Sequence, residues 1–217
     1  MKNHTLLSDV AVLLLIIFLF IVPPFFALAV SAAKPLTSLT HFPWYQLLLA
    51  LFGTLILFFY YEKSHKPGLI IFPVLFTFGM LFSISLFCRF LSEVFAGAGA
   101  SDISEFVIRP EGLVQWIFCL INFLSAAFYE EVLYRFYLSD ALLSVITRKK
   151  TFRLAWILCE AAGLLAFAFA HLYMGWISVL NAALAHILLR LCFKKTGKLW
   201  PCVASHFIYN VISLILL

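Results

Sequence analysis

Charge is scarce in this chain. Lysine and arginine number 15 and aspartate and glutamate 10 among 217 residues, too few to clothe a soluble domain of this length in polar groups. Cysteine pairing is missing as well: Cys88, Cys119, Cys159, Cys192 and Cys202 lie in apolar segments without C-x-x-C spacing. That argues against a disulfide framework or a thiolate zinc site, and the five read as buried small hydrophobes. Internal repeats and low-complexity linkers are absent, so nothing divides the chain into modules. The net charge of +5 would suggest nucleic acid in a soluble protein, but the basic residues sit in short loops, where orientation in a membrane explains them better. Nucleic-acid binding is therefore not expected.

What is present is apolar surface: 65% of the residues are hydrophobic and 25 are phenylalanine. At roughly 20 apolar residues per membrane-spanning helix, the length accommodates about six to eight spans. The expected fold is an all-α membrane protein, a polytopic bundle of about seven transmembrane helices around a buried polar site, forming a single domain over 1–217. Continuous apolarity places the spans roughly at 9–30, 44–61, 69–95, 113–138, 154–173, 174–193 and 199–217. Pro23 and Pro24 should kink or break the first, whose apolar run is too long for a cleaved signal. Lys2, Lys63, Lys66, the run Arg148, Lys149, Lys150 and Arg153, and Lys194, Lys195 and Lys198 all fall on one side of such a bundle, so the amino terminus is expected to be cytoplasmic.

An ionisable group at bilayer depth costs a few kcal/mol on insertion scales and needs a partner, a watery cavity or a function. "FYEEVLYRFY" holds three. Residues four apart share a helical face, so Glu131 can pair with Arg135 while Glu130 points elsewhere, free for chemistry. An equal reading at this point is that both glutamates neutralise arginines and lock helices together. In "FAFAHLYMGW", His171 follows Phe167 by one turn, with Glu160 about three turns earlier. In "TGKLWPCVASHFIYN", His206 and Asn210 are again four apart, a spacing that also suits bridging between membrane helices. Together the three stretches supply a carboxylate, two imidazoles and an amide on separate helices. Such a set can activate water, with Glu130 as base, and stabilise a tetrahedral oxygen with His206 and Asn210. The reaction class is hydrolysis of an amide or ester at membrane depth.

The ordered set Glu130-Glu131-x-x-x-Arg135, Phe167-x-x-x-His171 and His206-x-x-x-Asn210, with "TGKLWP" before the last motif, resembles the CAAX protease and bacteriocin-processing (CPBP, abortive-infection-type) family. The resemblance covers the carboxy-terminal half, about 113–217. It implies an intramembrane glutamate endopeptidase in which Glu130 and His171 activate the water, His206 with Asn210 forms the oxyanion hole, and Glu131 and Arg135 support the site. The implied substrate is a hydrophobic or lipidated peptide, in one branch a prenylated CAAX terminus, met among membrane lipids. Two histidines and a glutamate are also a set that zinc accepts, but His-Glu-x-x-His is missing and no cofactor is expected. Phe136 departs from the glycine that many relatives have after the motif arginine. The drawn spans leave one difficulty, since Glu130 and His206 fall toward the cytoplasmic side and His171 toward the far end of its helix.

Two other readings compete with the peptidase. A non-catalytic membrane scaffold of the same family is the alternative to the peptidase. An ion-coupled transporter would use Glu93, Glu160, His186 and Arg190, but no inverted repeat supports one. Arg190 is expected to snorkel toward headgroups, and His186 to satisfy a neighbouring carbonyl.

Overall fold

A computed structural model describes residues 6–23, 39–61, 71–96, 109–147 and 154–216. These residues form seven helices and no strands: α1 (Leu6–Ile21), α2 (Trp44–Tyr60), α3 (Ile71–Ala96), α4 (Gly112–Thr147), α5 (Ala155–Phe169), α6 (Trp176–Thr196) and α7 (Trp200–Leu216). The expected all-α bundle is thus present. Three of its helices, α3, α4 and α6, are long and apolar enough to cross a membrane. Most of the basic loop residues used for orientation, and the far part of the first span, lie outside the described residues.

The packing turns a soluble protein inside out. Trp44, Phe58, Phe72, Leu113, Trp156 and Trp200 are each more than half exposed, while Glu131, Arg135, His186 and Arg190 are buried. In water so much exposed apolar surface would aggregate; against lipid it is solvated. Helix α4 is the hub, touching α1, α2, α5 and α7 along its length, and α3 closes the other side against α6 and α7. Leu133, Val132, Tyr137 and Phe167 occupy the centre, with Ile16 of α1 and Ile56 of α2.

Two local departures from α geometry have sequence causes. In α1 a π turn, Ile17–Ile21, precedes Pro23, and the Val22 amide donates to the Ile17 carbonyl. A proline ring clashes with the carbonyl four residues back, and the wider turn relieves that clash. At the end of α6, Gly197 takes the left-handed conformation (φ 64°) and donates its amide to Phe193, the cap that lets the chain turn into α7. Gly163 serves packing instead: a Cβ there would lie 2.5 Å from Ser139 Oγ, so α5 approaches α4 as closely as a bare backbone permits.

Span limits differ from expectation at α4 and α5. Helix α4 runs on to Thr147 because Leu138, Ser139 and Ala141 stay buried past the point where apolarity fades. Helix α5 stops at Phe169, leaving His171 in the connection to α6. Phe136 is accommodated, its ring packing edge-on to Tyr61 and Phe193.

Candidate active site

The glutamate motif sits at mid-length in α4, and there the helix changes its hydrogen-bond pattern. Residues Glu131–Tyr137 form a π turn, with Glu130 the last residue of the preceding α segment and the Leu138 amide donating to the Leu133 carbonyl. All of these residues except Phe136 are buried. π turns of this kind occur most often at functional sites. Glu131 and Arg135 pair as their spacing suggested, Oε2 to Nε at 3.2 Å with both side chains fully buried. Among the described residues the guanidinium makes no hydrogen bond, and its central carbon lies over the Phe167 ring, 3.9 Å from the centroid.

The third motif enters opposite. His206, buried on α7, places Nδ1 2.8 Å from Glu131 Oε1 and Nε2 3.9 Å from Glu130 Oε2. One imidazole therefore faces both carboxylates. Ser205 holds this helix in place by donating to the carbonyls of Pro201 at 2.6 Å and Val74 at 3.0 Å. Glu130 differs from Glu131 in access, with 26% of its side chain exposed against none. Asn210 lies one turn beyond His206 and is half-buried, and among the described residues no hydrogen bond ties it to the glutamates.

The second motif reaches the site through Phe167. Its ring contacts Tyr134 at 5.1 Å and His171 at 4.7 Å, so the histidine is strung to the π turn by a stack of rings. His171 Nδ1 is 2.9 Å from the Phe167 carbonyl. A carbonyl only accepts, so Nδ1 carries the proton and Nε2 of the neutral ring is left with its lone pair. The depth difficulty resolves once the helix limits are corrected. Asp140 and Glu160 share the Arg190 guanidinium and so stand at one level. From there Glu130 is ten residues back along α4, and Phe169, the last residue of α5, nine forward, about 15 and 14 Å at the helical rise, with His171 two residues beyond that end. The Tyr173 hydroxyl, in the connection after His171, has its pKa raised by desolvation and by the charge of Glu130.

Two sequence expectations fail here. Arg190 does not snorkel: it is 6% exposed. It binds Glu160 with Nε–Oε2 2.9 Å and Nη2–Oε1 2.7 Å, and Asp140 with Nη2–Oδ1 2.7 Å. Its Nη1 donates to the Arg135 carbonyl. Lys194 joins at 3.0 Å from Asp140, giving two cations on two carboxylates. Glu160 thus faces Arg190 and has no part with His171. The network escaped sequence reading because its members lie 30 to 50 residues apart and carry no common spacing. Among the described residues His186, 2% exposed, has no hydrogen-bond partner on either ring nitrogen rather than the expected carbonyl, and it packs against Phe167 with ring centroids 5.7 Å apart. Among the described residues no three His, Cys, Asp or Glu side chains are grouped to hold a metal ion.

Neither the curated proteins nor the solved structures yield a match to this chain. A family model does match: type II CAAX prenyl endopeptidase Rce1-like, over residues 112–212. The matched stretch opens at the first residue of α4 and ends inside α7, taking in both glutamates, Arg135, both histidines and Asn210. Three helices long and apolar enough to cross a membrane and the match to a membrane protease family both point to an integral membrane protein. By this match residues 112–212, just under half of the chain, are similar to a protease family, the Rce1-like type II CAAX prenyl endopeptidases of the CPBP group.

Proposed function

We propose that this protein is an intramembrane endopeptidase that hydrolyses a peptide bond of a hydrophobic or lipidated peptide with water activated by Glu130. The observation that carries the reading is His206 facing Glu130 and Glu131 at once, 3.9 and 2.8 Å away. Glu130, the partly exposed carboxylate, takes a proton from water, and the hydroxide adds to the carbonyl carbon. His171, with its Nε2 lone pair, accepts a hydrogen bond from the second O–H of that water and orients it, that hydrogen staying on the oxygen. The tetrahedral oxygen receives hydrogen bonds from His206 Nε2 and the Asn210 amide. Because His206 Nδ1 is bonded to Glu131, its Nε2 can donate only when the ring is an imidazolium, and the buried Glu131 supplies the countercharge. As the C–N bond breaks, Glu130 returns its proton to the leaving amine, giving a carboxylic acid and an amine.

No step requires a metal. The whole chain is proposed to act as one transmembrane domain with its amino terminus in the cytoplasm, the side that receives Lys194, Lys195 and Lys198. A fusion reporter at the amino terminus that is active only outside the cytoplasm would reverse that orientation. The peptidase itself is tested by reconstituting purified protein and offering hydrophobic and prenylated reporter peptides. Glu130→Gln is expected to lower cleavage by about 10²–10⁴-fold, the usual worth of a positioned base, with the fold intact. A strong chelator is expected to leave the wild-type rate unchanged. Undiminished cleavage by the glutamine variant would refute the assignment of the base, and loss on chelation would replace it with a metal site. A wild type inert toward the whole panel would favour the non-catalytic scaffold reading.

A further inference from the structure

The glutamate pair owes its orientation to a π turn, and such a turn, set in the middle of a helix 36 residues long, is maintained by contacts from outside it. If α4 returned to the α register, one half of the helix would rotate by about 100° relative to the other, the angle of a single residue. The 2.8 Å bond from His206 Nδ1 to Glu131 Oε1 joins the π segment to α7, and it would not survive that rotation.

Arg190 supplies such a contact. Its Nη1 donates to the carbonyl of Arg135, inside the π segment, while Asp140 just beyond that segment and Glu160 on α5 grip the rest of the guanidinium. The planar fork suits this task, because carbonyl and carboxylates are met from different edges of one rigid group. Arg190 is 6% exposed, so bulk water does not substitute for it. Lys194 reaches the same two carboxylates, at 3.0 and 3.8 Å, but its side chain is 44% exposed and it makes no bond to the Arg135 carbonyl. Charge balance and the hold on the π turn are thus divided between two residues.

We propose that Arg190 is a positioning residue that clamps the π turn through the Arg135 carbonyl and so fixes the rotation of Glu130 and Glu131 relative to His206. The inference rests on the proposed function only for why that rotation matters to cleavage; the clamp itself is a statement about geometry.

The test is nuclear magnetic resonance of ¹⁵N-histidine-labelled full-length protein in micelles, following the strongly hydrogen-bonded Nδ1 proton of His206, assigned by its loss in His206→Gln. Arg190→Lys keeps the charge and loses the fork, and the bonded resonance is expected to disappear or move upfield. Lys194→Met removes the other cation without touching the carbonyl, and the resonance is expected to stay. A resonance unchanged in Arg190→Lys overturns the clamp, as does an equal shift in Lys194→Met. If Arg190→Lys does not fold, Arg190→Leu combined with Asp140→Asn and Glu160→Gln leaves no unpaired buried charge and serves the same comparison. There too, loss of the resonance supports the clamp and persistence overturns it. Because no cleavage is measured, this result and that of Glu130→Gln fail separately.

Discussion

Gly163 offers a quantitative check on the packing that supports the site. A Cβ at this position would sit 2.5 Å from Ser139 Oγ, with Ser139 Cβ and His186 Cε1 each at 3.8 Å. Only the hydroxyl is therefore in the way, and overpacking of this kind costs about 1–3 kcal/mol. Alanine in place of glycine in a helix interior returns up to about 1 kcal/mol, so Gly163→Ala should be destabilising by about 0–2 kcal/mol. Among the described residues Ser139 Oγ is buried without a hydrogen-bond partner, so Ser139→Ala forfeits nothing there. The double variant then meets ordinary van der Waals contacts and keeps the helix gain, about 1 kcal/mol above wild type. The coupling between the two substitutions should thus be about 1–3 kcal/mol, measured as a double-mutant cycle of unfolding in detergent. A coupling below about 0.5 kcal/mol would mean the helices do not meet at these two residues, and the close approach of α5 to α4 would be wrong.

Three further outcomes follow from the same geometry. Glu131→Ala leaves Arg135 as an uncompensated buried charge and should cost about 3–5 kcal/mol, whereas Glu131→Ala with Arg135→Met should recover most of that loss. The same unfolding assay decides it, and a double variant as unstable as the single would refute the pairing. All five cysteines are free and buried, so a maleimide should label the protein only after denaturation, and rapid labelling of the folded form would contradict the helix packing. Phe167→Leu removes the ring that links Arg135 and His171, and should lower cleavage by roughly tenfold while costing about 1–2 kcal/mol; unchanged turnover would show that His171 is oriented by its Nδ1 bond alone.

How much of this was legible in sequence depends on how local the signal was. The seven helices announce themselves, because apolar runs of the necessary length have few other meanings. The Glu131–Arg135 pair was also readable, although the turn that presents it is a π turn, a shift in backbone hydrogen bonding with no compositional mark. Continuous apolarity ends near 138, two residues before Asp140, whose partner Arg190 lies fifty residues on and leaves no local mark. The same missing partner made Arg190 look like a headgroup anchor. His171 was placed on a helix because its i−4 spacing to Phe167 is helical, and the bond to that carbonyl does persist although the helix has already ended.

The lengths of two lipid-facing helices carry a consequence for the bilayer itself. Helix α2 has 17 residues and α5 has 15, about 26 and 23 Å at the helical rise, against a hydrocarbon layer of about 30 Å. Trp44 and Tyr45 at one end of α2 and Tyr61 at the other are the residue types that settle at membrane interfaces, and they stand correspondingly close together. A bilayer matched to either helix would be about 4–7 Å thinner than that layer, a mismatch that costs fractions of a kcal/mol per ångström. Such a bilayer would carry headgroups and their water toward mid-depth beside these two helices, so the protein is expected to be better matched to short-chain bilayers than to thick, sterol-rich ones.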